Sequence, residues 1–211
     1  MTHSNPGQAV AFGLTLKARK VVSRIAIAMA IAFLLIGESR WPPHHPLHEP
    51  IEWIGLGLIA ICIIGRTWCS LYIGGRKSES LVMQGPYSIS RNPLYLFSII
   101  GAIGVGAQAG SIVIALICGF VTWVVLVGSV LREEEILLTR FGDDYRHYRD
   151  RVPRILPRPS LWHDTATIEV RPRQVTSTFV DALVFLAAIP IAEGLEYLHE
   201  FNWLPTWITL P

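Results

Sequence analysis

The stretch LYLFSIIGAIGVGAQAGSIVIALICGFVTWVVLVGSVL, residues 94–131, decides the fold because it carries no charged side chain from end to end. One crossing of a bilayer needs about 20 predominantly apolar residues. The run is therefore too long for a single crossing, and the polar and small residues of the sequence QAGS at 108–111 interrupt it. We predict a helical hairpin here, which crosses the membrane and returns.

The composition of the whole chain agrees with a membrane protein. Hydrophobic residues make up 51% of the sequence and charged residues 16%. A soluble domain usually carries about 25% charged residues. The formal net charge of +2 is too small to indicate a nucleic-acid partner.

Three further apolar segments flank the hairpin, at residues 21–36, 51–73 and 179–198. With the two arms of the hairpin they predict an all-α, polytopic membrane protein with about five transmembrane helices. The last segment contains acidic residues and a proline, so it is either a fifth span or a helix lying at the interface. We favour the span.

The distribution of basic residues predicts the orientation. Lys17, Arg19 and Lys20 precede the first apolar segment, and arginines are frequent in the polar segment at 132–158. Because cytoplasmic loops are enriched in lysine and arginine, we expect the N-terminus and this segment to lie on the cytoplasmic side.

Arg66 lies within the second apolar segment. A charge inside a membrane span often marks a functional site. The alternative is that the long side chain extends to the inner interface and leaves the membrane core.

Two polar clusters lie at the two ends of the hairpin, at residues 84–95 and 132–148. A hairpin brings its ends together, so we expect Asn92 and Glu133 to be neighbours. Asn92 and Pro93 are typical of the N-cap and first position of a helix. The helix start is either a simple cap or a binding site for an anion, which helix N-termini attract.

Glu133 shares one helical face with apolar and aromatic residues, since Leu137, Phe141, Tyr145 and Tyr148 follow at spacings of four, four, four and three. This face is predicted to be buried. The carboxylate of Glu133 then needs a partner. A ligand's hydroxyl or ammonium group, a neighbouring arginine such as Arg91, or a purely structural ion pair would each serve.

Glu134 and Glu135 point away from that face and are interpreted as a solvated, charged surface. His44, His45 and His48 lie in a proline-rich stretch at the opposite end of the second span, which we interpret as a loop. Cys62, Cys69 and Cys118 form no close pair, and we predict no metal site.

Both polar clusters follow a recognisable pattern. Residues 81–95 read Leu-Val-x-x-Gly-Pro-Tyr-x-x-x-Arg-x-Pro-x-Tyr, and residues 133–148 read Glu-Glu-x-x-Leu-Leu-x-x-Phe-Gly-x-x-Tyr-x-x-Tyr. Val152, Pro153, Arg154 and Pro157 follow. This arrangement resembles isoprenylcysteine carboxyl methyltransferases and the related phospholipid methyltransferases. Either half alone is weak, whereas both in order around a hairpin-length apolar run are specific.

The resemblance implies S-adenosyl-L-methionine as the cofactor, bound on the cytoplasmic side. By position, it places these residues at the cofactor: Leu81, Val82, Tyr87, Asn92, Pro93, Leu94, Tyr95 and Glu133, with Tyr72 a more distant contributor. We predict Glu133, Asn92 and Arg91 as catalytic residues. The family usually has histidine at the position of Asn92, and asparagine does not titrate near neutral pH.

The apolar segments and the resemblance, which covers residues 81–157, together predict an organisation and an activity. We predict a cytoplasmic tail at residues 1–20, two transmembrane helices at 21–80, a catalytic core at 81–158 and a C-terminal extension with a further helix at 159–211. The predicted reaction is methyl transfer to a lipophilic or lipidated acceptor, with membrane lipids as surroundings. Alternatives are methylation of a phospholipid amine or a small thiol, and a non-catalytic membrane scaffold or binding protein.

Overall fold

The computed structural model describes residues 37–39, 46, 48–73, 80–200 and 208–210. The helices are α1 His48–Ile73, α2 Pro86–Ile89, α3 Pro93–Ala107, α4 Ile112–Phe141, α5 Asp143–Arg151, α6 Pro172–Leu183 and α7 Ala188–Glu200, with 3-10 helices at Pro159–Leu161 and Val184–Ala187. The predicted helical class is confirmed. The exception is a short parallel pair of strands, β1 Gly37–Ser39 and β2 Ile208–Leu210.

Three described helical stretches are long and apolar enough to cross a membrane: α1, α4 and the continuous stretch Pro172–Leu195. Helix α3 is apolar but shorter, with 15 residues. The prediction of a membrane protein is therefore confirmed. The predicted span at 21–36 lies outside the described residues, so a total of about five spans stays a prediction.

The hairpin predicted from residues 94–131 is present as α3 and α4. Gly110, in the turn between them, has a φ of +63°, a conformation that glycine adopts without strain. Ser111 then caps α4, since its Oγ accepts a hydrogen bond from the Ile114 N–H at 3.3 Å. His48, predicted in a loop, instead begins α1 and packs against Gly110.

Glycines let the helices approach closely. A Cβ at Gly104 would lie 2.7 Å from the carbonyl oxygen of Gly55 in α1. A Cβ at Gly106 would lie 2.7 Å from the Cα of Ala115 in α4. Small residues at such crossings increase van der Waals contact between backbones.

The main apolar core joins α1, the hairpin and the last helical stretch. Its buried members include Ile59, Cys62, Val105, Ile114, Cys118, Ala182, Phe185 and Leu195. Because α6 and α7 contribute to it, the C-terminal stretch packs onto the bundle rather than lying apart from it.

Arg66 is buried between helices. Its exposed fraction is 6%, and Nη1 donates a hydrogen bond to the Ser98 hydroxyl of α3. Ser98 in turn donates to the carbonyl oxygen of Leu94 at 2.8 Å. These two hydrogen bonds link α1 to the beginning of α3.

Candidate functional site

The two ends of the hairpin meet, as the sequence predicts. The Tyr95 hydroxyl in α3 donates a hydrogen bond to Glu133 Oε1 in α4 at 2.9 Å. Tyr95 is buried, at 1% exposure, and forms an apolar cluster with Leu126 and Val130 of α4. The start of α3 and the polar end of α4 are therefore held together by one apolar and one polar contact.

A cavity of about 510 Å³, including its open mouth, lies where these ends meet. The enclosed part of this volume is only about 50 Å³. Eight of the sequence-predicted site residues line it: Leu81, Val82, Tyr87, Arg91, Asn92, Leu94, Tyr95 and Glu133. Both halves of the motif pattern thus contribute to one wall.

Two predicted residues, Pro93 and Tyr72, are not among the residues that line the cavity. Pro93 is buried at the first position of α3, where its ring starts the helix. Tyr72 packs against Gly85 and donates a hydrogen bond to Asp164 Oδ2 at 2.7 Å. Tyr72 therefore supports the turn before α2.

Four lining residues were not predicted as site residues: Ile73, Ser80, Leu137 and Tyr148. Leu137 shares the helical face of Glu133, so this periodicity could have identified it. Tyr148 lies on α5, a separate helix, because the predicted continuous face is broken at Gly142. Ile73 ends α1, and only the packing of α1 against the other elements brings it to the cavity.

Glu134 is not on a solvated surface, so that part of the interpretation is wrong. It is 8% exposed, and Arg154 binds both of its oxygens, with Nε 3.1 Å from Oε1 and Nη2 3.0 Å from Oε2. The segment after α5 returns across the end of α4 and covers this carboxylate. A helical wheel describes one helix and does not include that return. Glu135 is exposed, as predicted.

Asn92 and Arg91 also contact Glu134. Asn92 Nδ2 donates to the Arg154 carbonyl oxygen at 3.1 Å and to Glu134 Oε1 at 3.5 Å. Arg91 Nη2 lies 3.3 Å from Glu134 Oε1. Asn92 occupies the N-cap position of α3, but its side chain makes no capping bond. The side chain instead links the start of α3 to Arg154, in the segment that follows α5.

Two tyrosines of α5 are buried beneath the cavity. The Tyr148 hydroxyl donates to the Tyr87 carbonyl oxygen at 2.7 Å. Burial raises the pKa of Tyr145 to about 12, with the nearby Glu134 adding to the effect, and burial also raises the pKa of Tyr148. Both phenols are therefore neutral at physiological pH.

The segment from Val152 to His163 is bound to α2 and its flanking residues by backbone hydrogen bonds. The N–H of Arg91 donates to the Pro153 carbonyl, and the N–H of Arg158 donates to the Ile89 carbonyl, both at 2.9 Å. Farther along, Gly85 N–H donates to the His163 carbonyl at 3.0 Å. Trp162 stacks on Trp68 of α1, with ring centroids 5.8 Å apart.

Among the described residues, no group of three or more histidine, cysteine, aspartate or glutamate side chains is arranged to hold a metal ion.

Residues 53–144 match the model of the phospholipid methyltransferase family. The chain belongs to the isoprenylcysteine carboxyl methyltransferase and phospholipid methyltransferase family of membrane methyltransferases.

Several relatives align along most of the chain. The nickel-cobalt-cadmium resistance protein NccN of Alcaligenes xylosoxydans xylosoxydans is 32% identical over 89% of this chain and 87% of its own length. The cobalt-zinc-cadmium resistance protein CzcN of Cupriavidus metallidurans is 30% identical over 90% and 87%. Protein-S-isoprenylcysteine O-methyltransferase B of Arabidopsis thaliana is 29% identical over 68% and 79%. No solved structure matches the chain.

Proposed function

We propose that this protein transfers a methyl group from S-adenosyl-L-methionine to a lipophilic acceptor at the membrane. The observation that carries the proposal is the cavity at the end of the hairpin, where both halves of the motif pattern line one wall. Membership in a methyltransferase family supports the reaction class.

The residues of the cavity suit this cofactor chemically. Glu133 offers a carboxylate for hydroxyl or ammonium groups, and Arg91 offers a guanidinium for an anionic group. Ile73, Leu94 and Leu137 supply apolar surface for a nucleoside. The combination of an apolar wall with a few polar groups is typical of sites that bind small organic molecules.

The bound cofactor would supply an activated methyl group on a sulfonium centre. Since the donor is already activated, the protein's contribution is to position the reactants and exclude water. Glu133, held by Tyr95, would fix the donor. Asn92 acts as a positioning residue, because its amide binds the Arg154 carbonyl oxygen.

We infer that the cavity faces the cytoplasm and that the acceptor enters from the bilayer. Exposed arginines surround this end of the bundle: Arg132, Arg146, Arg149, Arg151 and Arg158. Such residues concentrate on the cytoplasmic side of membrane proteins. Exposed apolar side chains of α4, including Leu116 and Phe120, form its lipid-facing surface.

Labelled methyl transfer tests the activity and identifies the acceptor class. The protein is placed in vesicles made from the lipids of its own cell, with methyl-labelled S-adenosyl-L-methionine. We expect label in the lipid fraction with wild type and Glu135→Gln, and none with Glu133→Gln. Equal labelling by Glu133→Gln, or no label from wild type, would contradict the proposal.

The chemistry of the labelled product separates the remaining alternatives. A methyl ester releases its label as methanol in mild alkali, whereas a methylated phospholipid amine or a thioether does not. Mass spectrometry then separates the amine from the thioether. A non-catalytic scaffold would give no labelled product at all.

We further infer a physiological role in tolerance of heavy metals, from the names of the two bacterial relatives that match along most of the chain. The test is growth of a deletion strain on cobalt or cadmium. Wild-type protein should restore tolerance and Glu133→Gln should not. Equal rescue by both would separate metal tolerance from methyl transfer.

A further inference from the structure

The connecting segment between α5 and α6, residues 152–171, lies at the end of the bundle where helices enter the membrane. Its backbone is bound to residues that flank α2, since the N–H of Arg158 donates to the Ile89 carbonyl oxygen at 2.9 Å. At its other end Pro172 begins the stretch Pro172–Leu195, which is long and apolar enough to cross a membrane. The segment therefore runs from the start of the hairpin to the start of the last apolar stretch.

Large apolar side chains project outward from this segment. Leu156 is 77% exposed and Trp162 is 46% exposed. Trp162 stacks on Trp68 near the end of α1, with ring centroids 5.8 Å apart, so it lies where α1 ends. Tryptophan is enriched at the boundary between membrane and water. Contact with the upper part of the acyl chains would remove both side chains from water, which is favourable.

Positive charge accompanies these apolar side chains. Residues 152–173 contain four arginines and two acidic residues. One of the acids, Asp164, accepts the hydrogen bond of the Tyr72 hydroxyl at 2.7 Å. Arg158 and Arg173 are exposed, and neither forms an ion pair with another described residue. Their guanidinium groups are therefore open to an external anion.

The position of Arg173 does not stabilise its own helix. It lies in the first turn of α6, which contains no acidic residue. The N-terminus of a helix carries a partial positive charge, so a cation there is unfavourable. An anion outside the protein would offset both the charge of Arg173 and that of the helix end.

We infer that the connecting segment binds a membrane surface of anionic phospholipids. Arg158 and Arg173 bind the phosphate groups, since a guanidinium pairs its N–H groups with phosphate oxygens. Leu156 and Trp162 lie against the acyl chains below. Basic residues next to a membrane span are attracted to anionic lipids, and apolar neighbours add to this binding.

The test measures which lipid contacts Trp162. Full-length protein is placed in vesicles of equal parts phosphatidylglycerol and phosphatidylcholine, with bromine on the acyl chains of one lipid at a time. Bromine quenches the fluorescence of a tryptophan that it contacts. The signal of Trp162 is the difference between the protein that contains it and the same protein with Trp162→Phe. We expect phosphatidylglycerol to be preferred roughly 5- to 30-fold, which corresponds to one or two arginines near the surface.

A double variant and a matched control assign the preference to two residues. Arg158→Gln combined with Arg173→Gln should reduce the preference to less than about twofold. The control combines Arg146→Gln with Arg149→Gln, which removes the same charge from α5. Both control arginines are exposed, but each has an aspartate on α5 as its partner, at 2.9 Å and 3.7 Å. The control should therefore keep the wild-type preference.

Salt provides a second measurement on the unchanged protein. Near 1 M salt the preference should shrink strongly, because exposed charges are screened within about 3 Å. Quenching of Trp162 by neither lipid would overturn the inference, and so would equal quenching by both in wild type. An unchanged preference in the arginine double variant, or an equal loss in the control, would also overturn it. If the arginines bound an acidic protein instead, wild type would show no lipid preference.

Discussion

The hydroxyl of Tyr95 donates a hydrogen bond to Glu133 Oε1 at 2.9 Å, and this bond closes the helical hairpin at the wall of the cavity. It joins the first residues of α3 to the polar end of α4. The same carboxylate is therefore part of the fold and part of the candidate site, and its orientation depends on a residue from the other half of the motif pattern.

Tyr95→Phe tests this orientation. The substitution removes the hydroxyl and keeps the buried ring, so the loss to stability should be small, about 1 kcal/mol. The affinity for S-adenosyl-L-methionine should fall roughly tenfold, because Glu133 loses its fixed position. Calorimetry and thermal unfolding in detergent measure the two effects. An unchanged affinity would show that the Tyr95 hydroxyl does not orient Glu133 for binding.

Glu134→Ala should destabilise the protein strongly. The substitution leaves the buried Arg91 without its counter-charge, which typically costs about 3–5 kcal/mol. Glu135→Ala is the matched control, because Glu135 lies next to it on α4 but is exposed. Glu135→Ala should change the free energy of unfolding by no more than about 0.5 kcal/mol. Equal thermal stability of the two variants would contradict the buried ion cluster.

The close packing of the hairpin predicts different outcomes for the same substitution at two glycines. Gly104→Ala places a methyl group against the Gly55 carbonyl oxygen, so the backbones must separate and the stability should fall by about 1–3 kcal/mol. At Gly128 of α4 nothing lies within 4 Å of the added Cβ. Gly128→Ala should therefore leave the melting temperature unchanged or raise it. A larger loss of stability for Gly128→Ala than for Gly104→Ala would contradict the close contact between Gly104 and Gly55.

The buried phenol of Tyr145 predicts a specific response to alkaline pH. Its pKa is raised to about 12 in the folded protein, from an unfolded value of 10. The folded protein favours the neutral phenol. The contribution of this preference to folding stability is therefore complete below pH 10 and is lost as the pH rises through about 12. Tyr145→Phe should make the melting temperature fall less steeply across that window.

At neutral pH the two tyrosines of α5 should respond differently to loss of the hydroxyl. The Tyr145 hydroxyl has no hydrogen-bond partner among the described residues, so Tyr145→Phe should be neutral or stabilising. Tyr148→Phe loses the bond to the Tyr87 carbonyl oxygen and should cost about 1 kcal/mol. A larger loss at Tyr145 than at Tyr148 would contradict these contacts.

The hairpin and most of the cavity could be predicted from the sequence because they depend on local patterns. The uncharged run at 94–131 is too long for one crossing, and this fixes which polar clusters meet. The periodicity after Glu133 then identifies the face that reaches the cavity. The contact between Tyr95 and Glu133 follows from those two features together.

Other parts depend on contacts between distant segments. Glu134 is buried because Arg154 returns from the far end of α5, and a wheel drawn for α4 contains no such residue. Arg66 remains inside the bundle because Ser98, on another helix, accepts its hydrogen bond. Neither partner could be assigned without knowing how the helices pack.

Calorimetric titration of the detergent-purified protein with S-adenosyl-L-methionine tests the central claim most directly, that the end of the hairpin forms a cofactor site around Glu133. We expect one equivalent to bind wild type and Glu135→Gln with similar affinity, and binding to Glu133→Gln to be lost while its melting temperature stays close to wild type. No binding to wild type, or undiminished binding to folded Glu133→Gln, would contradict the account.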